Sequence, residues 1–144
     1  VKGLTFELMT KALDQARDSG GRVHGGERVH AAAAPDAYYV QPALVEMPAQ
    51  CGPMLHETFA PILYVVRYRD LDEAVAWHNA VGAGLSSSIF TTDLREAERF
   101  IAVDGSDCGI ANVNIGPSGA AGRPTCAAPP TPSTTAARCR WRKG

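Results

Sequence analysis

"PILYVVRYRDLDEAVAWHNAVGAGLSSSIF", residues 61–90, changes its hydrophobic period twice within one segment. Residues 62–66 are apolar or aromatic without a polar break, which predicts a strand covered on both faces and central in a sheet. Asp70 with Glu73 then reads as a capping-box-like helix start, and Leu71, Ala74, Val75 and His78 recur at helical spacing until Gly82 and Gly84 end the pattern. "LSSSIF", residues 85–90, returns to a strand.

The alternation continues on either side. Downstream, Asp93 with Glu96 repeats the cap, and Leu94, Ala97 and Ile101 predict a second helix with a buried stripe that Gly105 stops. "CGIANVNI", residues 108–115, is then a further strand. Upstream, Leu4, Leu8, Met9, Ala12, Leu13 and Ala16 predict a helix closed by Gly20 and Gly21. "GRVHGG", residues 21–26, reads as a short strand, "AAAAPDA" as a loop, and "YYVQPALVEM", residues 38–47, as an extended piece interrupted by Pro42. Strand, helix, strand, helix, strand at about 30 residues per unit predicts an α/β fold, a mostly parallel sheet flanked by helices and joined by right-handed crossovers. Ligands in such sheets bind beyond the carboxyl ends of strands, so "GPSGA", residues 116–120, is where backbone N–H groups are expected to serve a site.

Composition bounds the rest. A chain of 144 residues that is 45% hydrophobic holds enough apolar material for one domain with its own core. No run approaches the roughly 20 apolar residues of a membrane span, and "VKGLTFELMTKALDQ" lacks the apolar block of a secretory signal, so a cytoplasmic address is expected. Cys51, Cys108, Cys126 and Cys139 form no C-x-x-C pair, and His24, His30, His56 and His78 have no zinc-like spacing, which predicts free thiols and no metal site.

The net charge of −1 conceals a split. Residues 1–120 hold all 15 acidic side chains and 9 of the Lys and Arg, whereas residues 121–144 hold 5 basic groups and no acid. That last segment, "AGRPTCAAPPTPSTTAARCRWRKG", has no Leu, Ile, Val, Phe, Met or Tyr and is expected to be a disordered basic tail, of the composition an out-of-frame translation of a GC-rich gene produces. Its "RCRWRKG" end has the arginines and interleaved tryptophan of a nucleic-acid contact, but a solvated charged end is the simpler reading.

Taken together, "HETFAPILYVVRYRDLDEAVAWHNAVGAGLSSSIFTTDLREAERF" and "GSDCGIANVNIGPSGA" resemble the C-terminal half of the catalytic domain of the aldehyde dehydrogenase superfamily, and within it the antiquitin branch. The resemblance covers residues 1–120 and is carried by the E-x-F-[AG]-P motif at Glu57 to Pro61, by "GLSSSIFT" and by "GSDCGIANVNI". It implies a partial catalytic domain of an NAD-dependent oxidoreductase that turns an aldehyde into a carboxylate. It also implies a homo-oligomer.

By that resemblance Glu57 accepts hydrogen bonds from the nicotinamide ribose hydroxyls and Phe59 packs near the nicotinamide ring; a carboxylate has acceptor capacity for two vicinal hydroxyls and an aromatic ring restrains a flat one. Ser118, Gly119 and Ala120 match the loop that anchors a substrate carboxylate through backbone N–H groups and a hydroxyl, implying a small-molecule aldehyde of the aminoadipate semialdehyde type from lysine catabolism. The family's cysteine nucleophile and glutamate base have no counterpart in these residues, so no catalytic residue is assigned and the chain alone is expected to be inactive. Two alternatives remain: a non-catalytic assembly module that pairs with dehydrogenase subunits, and a remnant of a broken gene.

Other conspicuous residues have plainer readings. Cys108, at the start of a strand, reads as an inert small hydrophobe, and Cys51 lies in "AQCGPM" without a nearby base. His56 reads as a loop residue and His78 as a helix-face residue, while Asn112 and Asn114 are expected to satisfy backbone groups at the strand's end.

Overall fold

The computed structural model describes residues 3–116, which fall into two compact units divided between Arg67 and Tyr68. Each has the α/β character expected from the sequence.

In the first unit, helix α1 (Gly3–Asp18) packs on a three-stranded sheet of β1 (Arg22–Gly25), β4 (Ala43–Met47) and β5 (Ile62–Val66), while β2 (Arg28–Val29) and β3 (Tyr39–Val40) form a separate antiparallel pair. Helix α1 ends where the sequence predicts. Gly20 takes a left-handed φ of 83°, and the N–H groups of Gly20 and Gly21 return to the carbonyls of Arg17 and Ala16 at 2.9 and 2.8 Å.

The core is built from Met9, Leu13 and Ala16 of the helix against Ala43, Val45 and Met47 of β4. Met9 and Val45 are sealed from solvent, each contributing about 1.5–3 kcal/mol of burial. Leu4 and Leu8, placed on the buried stripe from sequence, are exposed instead, because the helix face that meets the sheet runs through Met9, Ala12, Leu13 and Ala16.

Strand β5 departs from expectation. It pairs in parallel with β4 and lies at the edge of its sheet, in the order β1-β4-β5, rather than at the centre. Its residues alternate: Ile62, Tyr64 and Val66 pack toward the core, while Leu63 and Val65 are exposed. The unbroken apolar run therefore has one covered face, and Leu63 and Val65 join Leu44 on the other.

In the second unit, α2 (Leu71–Ala80), β6 (Ser86–Ile89), α3 (Leu94–Ile101) and β7 (Ile110–Val113) appear in the predicted order, and β6 pairs with β7 in parallel. Both helix starts are capped by the predicted aspartates with altered partners. Asp70 accepts from the N–H of Glu73 at 2.9 Å, and the Glu73 carboxylate accepts from the N–H of Arg69, one residue before the cap, at 2.7 Å. Asp93 accepts from Arg95, and Glu96 is bound by the Thr91 hydroxyl. The buried face of α3 is Ala97 with Phe100; Leu94 and Ile101 of the expected stripe are exposed.

Candidate functional site

The segment joining the short 3-10 turn Gly52–Leu55 to β5 carries the motif residues. Two tight backbone turns shape it: the N–H of Ala60 reaches the Thr58 carbonyl at 2.7 Å and that of Ile62 reaches the Ala60 carbonyl at 2.8 Å. With Pro61 next to the strand, little conformational freedom remains across residues 58–62. The Pro61 carbonyl accepts from the N–H of Ala43, which ties the end of the loop to β4.

Glu57 and Phe59 are both exposed, and Thr58 between them is half-buried. Phe59 is 80% exposed, so it is not part of this unit's core. The Glu57 carboxylate makes no ion pair or hydrogen bond among the described residues, so its acceptor capacity is unspent. A rigid loop thus presents a free carboxylate and a bare ring two residues apart. Two surface depressions, of about 470 Å³ along Phe6, Thr10 and Asp14 and about 540 Å³ along Phe90, Thr91 and Asn114, include neither residue.

Ser118, Gly119 and Ala120 lie outside the described residues. Just before them, Asn114 adopts a left-handed φ of 58°, and its side chain binds backbone groups of Thr91, as expected of a residue that closes the strand end. Asn112 is buried, and its Nδ2 has no partner among the described residues.

A cluster that the sequence reading missed lies in the second unit. His78, Ser87, Ser106 and Cys108 meet through contacts of 2.7–3.2 Å. Burial lowers the His78 pKa, opposed by the charge of Asp107. Asn79 holds the turn that delivers Ser106 and Cys108, donating to the Gly105 carbonyl and accepting from the N–H of Asp107, each at 2.8 Å. The available signal was His78 on the inward stripe of α2, a position where an imidazole needs a polar partner. Elsewhere burial raises the pKa of Tyr64, whose hydroxyl has no partner among the described residues. Those residues contain no group of three or more His, Cys, Asp or Glu arranged to hold a metal ion, and no helix long and apolar enough to cross a membrane.

The sequence profile of the aldehyde dehydrogenase family matches residues 3–125. The chain belongs to the aldehyde dehydrogenase family. Among relatives of this aldehyde dehydrogenase chain, the alpha-aminoadipic semialdehyde dehydrogenases of Mus musculus and Bos taurus are each 46% identical, over 116 and 110 residues. These matches cover 78% and 76% of this chain but 21% and 20% of the relatives, so the chain spans about a fifth of their length. A crystal structure of a putative aldehyde dehydrogenase from Burkholderia cenocepacia superposes with a TM-score of 0.69 at 34% identity, covering 77% of this chain and 23% of that one. PnpE, solved in complex with nicotinamide adenine dinucleotide, gives 0.68 at 30% identity, covering 77% and 23%. The antiquitin-like resemblance and the α/β class both stand.

Proposed function

We propose that this chain supplies the nicotinamide-side grip and the substrate anchor of an NAD-dependent aldehyde dehydrogenase that oxidises an aldehyde of the aminoadipate semialdehyde type to a carboxylate. The observation that carries the reading is the pairing of a free carboxylate at Glu57 with an 80% exposed ring at Phe59 on one constrained loop. A ring that large left bare favours a flat partner, and an unpaired carboxylate favours vicinal hydroxyls; nicotinamide riboside has both.

When bound, the dinucleotide supplies the hydride acceptor. The contribution of this chain is orientation: Glu57 holds the ribose and Phe59 limits rotation of the ring, while Ser118, Gly119 and Ala120 receive the carboxylate at the far end of the substrate. The nucleophile and general base come from elsewhere in the intact enzyme, and the 144-residue chain by itself does not turn over. NAD reduction by the isolated chain with an aldehyde would contradict that.

The test replaces the matched segment of the mouse relative with residues 3–120 of this chain and measures NAD-dependent aldehyde oxidation. Losing a hydrogen bond to a charged group costs about 1.5–3 kcal/mol, so Glu57→Gln lowers kcat/KM for NAD roughly tenfold or more. Unchanged NAD kinetics in an active chimera would remove the cofactor role from this loop.

A second reading, an assembly module that pairs with dehydrogenase subunits, is favoured by the exposed Leu44, Leu63 and Val65 on one sheet face. Co-purification of the chain with a dehydrogenase subunit, abolished by Leu63→Lys, supports it; the chain eluting alone counts against it.

A further inference from the structure

The loop that carries Glu57 and Phe59 is fastened to the core of the first unit at both ends. At its amino end the 3-10 turn Gly52–Leu55 packs on helix α1, with Pro53 buried and Met54 seated against the core that α1 forms with β4. The N–H of His56 returns to the Pro53 carbonyl at 3.1 Å and closes the turn immediately before Glu57. At the other end Ala60 packs against the same core. Only residues 55–59 lie between the two fastenings.

Gly52 lets the turn lie close to the helix. Its φ of 63° is left-handed, and a Cβ on it would stand 2.7 Å from Ser19 Oγ, just past the end of α1. A side chain there would strain the backbone and press the turn away from the helix. The bare α-carbon therefore allows Met54, one residue beyond the buried Pro53, to reach the core.

Neither recognition residue is oriented by contacts of its own. The Glu57 carboxylate has no partner among the described residues, and Phe59 is 80% exposed. Their directions are inherited from the backbone, and the backbone is set at Met54 and Ala60. A loop already held in its binding shape avoids the entropy cost of ordering when the ligand arrives.

We propose that Met54 is a positioning residue for the cofactor loop: seated on the α1–β4 core, it pre-sets residues 55–59 so that Glu57 and Phe59 receive a nicotinamide riboside group without an ordering step. This role rests on the cofactor reading above, and Met54 acts only through the two recognition residues.

Hydrogen exchange of the full 144-residue chain reads the fastening without cofactor or turnover. Met54→Ala should speed exchange at the His56 and Ala60 N–H groups roughly tenfold relative to Val45 in the central strand β4, and Met54→Leu, which refills the seat, should restore it. In the chimeric dehydrogenase, Met54→Ala should raise KM for NAD about tenfold and leave KM for the aldehyde and kcat at saturating NAD unchanged. A substitution that only destabilises lowers the amount of active enzyme, hence kcat, and leaves KM for NAD in place. On a Glu57→Gln, Phe59→Ala background, Met54→Ala should add little, because the groups it positions are gone. Should Met54→Ala fail to fold, Met54→Val is a smaller truncation that gives the same comparison. Unchanged exchange at His56 and Ala60, or an unchanged KM for NAD where Glu57→Gln alone raises it, overturns the positioning role and leaves the cofactor reading standing. If Glu57→Gln alone leaves KM for NAD unchanged, the cofactor reading fails and the positioning role falls with it.

Discussion

Asn114 and Thr91, far apart in sequence, are joined at two points: Asn114 Oδ1 accepts from the Thr91 N–H and Nδ2 donates to the Thr91 carbonyl, both at 2.9 Å. The amide thereby substitutes for a further rung of the β6–β7 ladder just where the strands end. Its left-handed φ of 58° suits asparagine better than most residues. Asn114→Ala removes both bonds and adds a conformational penalty, for an expected loss of about 2–3 kcal/mol in urea unfolding. Asn114→Gly, which relieves the backbone and loses only the bonds, should cost less. If the two variants unfold at the same urea concentration, the backbone term is absent.

Glu73 gives the second unit an acid-dependent element. Its carboxylate is held below the usual range first by the side-chain hydrogen bond from Arg69, then by the Arg69 backbone N–H. A depressed carboxylate pKa contributes stability that is present above the ordinary glutamate range and is lost as pH falls through the folded value. Unfolding of Glu73→Gln, measured from neutral pH into the acid range, should therefore converge with wild type at low pH. A constant gap between the two curves would assign the effect of Glu73 to packing instead.

His78 acts in the opposite sense. Its folded pKa is lowered by burial, so between the folded value and the ordinary value near 6.5 the unfolded chain binds a proton that the native state refuses. Stability falls as pH drops through that window and levels off below the folded pKa. In His78→Leu this component is missing, and the slope of unfolding free energy against pH near 6 should be shallower than in wild type. Identical slopes would place the ring in contact with water.

The sequence made the order of elements legible because each signal was local. Gly20 stops α1 through its own φ, and Asp70 and Asp93 cap helices within three residues of themselves. What was illegible depended on partners. Helix α3 offers Leu94, Ala97, Phe100 and Ile101 at compatible spacings, and only its packing against β7 selects Ala97 and Phe100. The run at residues 62–66 reads as doubly covered, but within its unit one face of β5 lacks a covering layer. Cys108 and His78 are 30 residues apart, and their meeting follows from how the turn held by Asn79 returns to α2.

Phe59 gives the sharpest separation of fold from function. A ring that is 80% exposed contributes little to its own unit, so Phe59→Ala should leave urea unfolding of the 144-residue chain within about 0.5 kcal/mol of wild type. In the chimeric dehydrogenase the same substitution removes a surface against which a flat ring packs, an effect of about 1–3 kcal/mol on cofactor binding, read as a rise in KM for NAD of roughly tenfold. Glu57→Gln should behave likewise, since its carboxylate has no protein partner to lose among the described residues. A marked loss of stability in the isolated chain would mean that the ring serves the fold, and normal NAD kinetics in the chimera would mean that it serves no cofactor. The proposed grip requires unchanged folding together with weakened NAD binding.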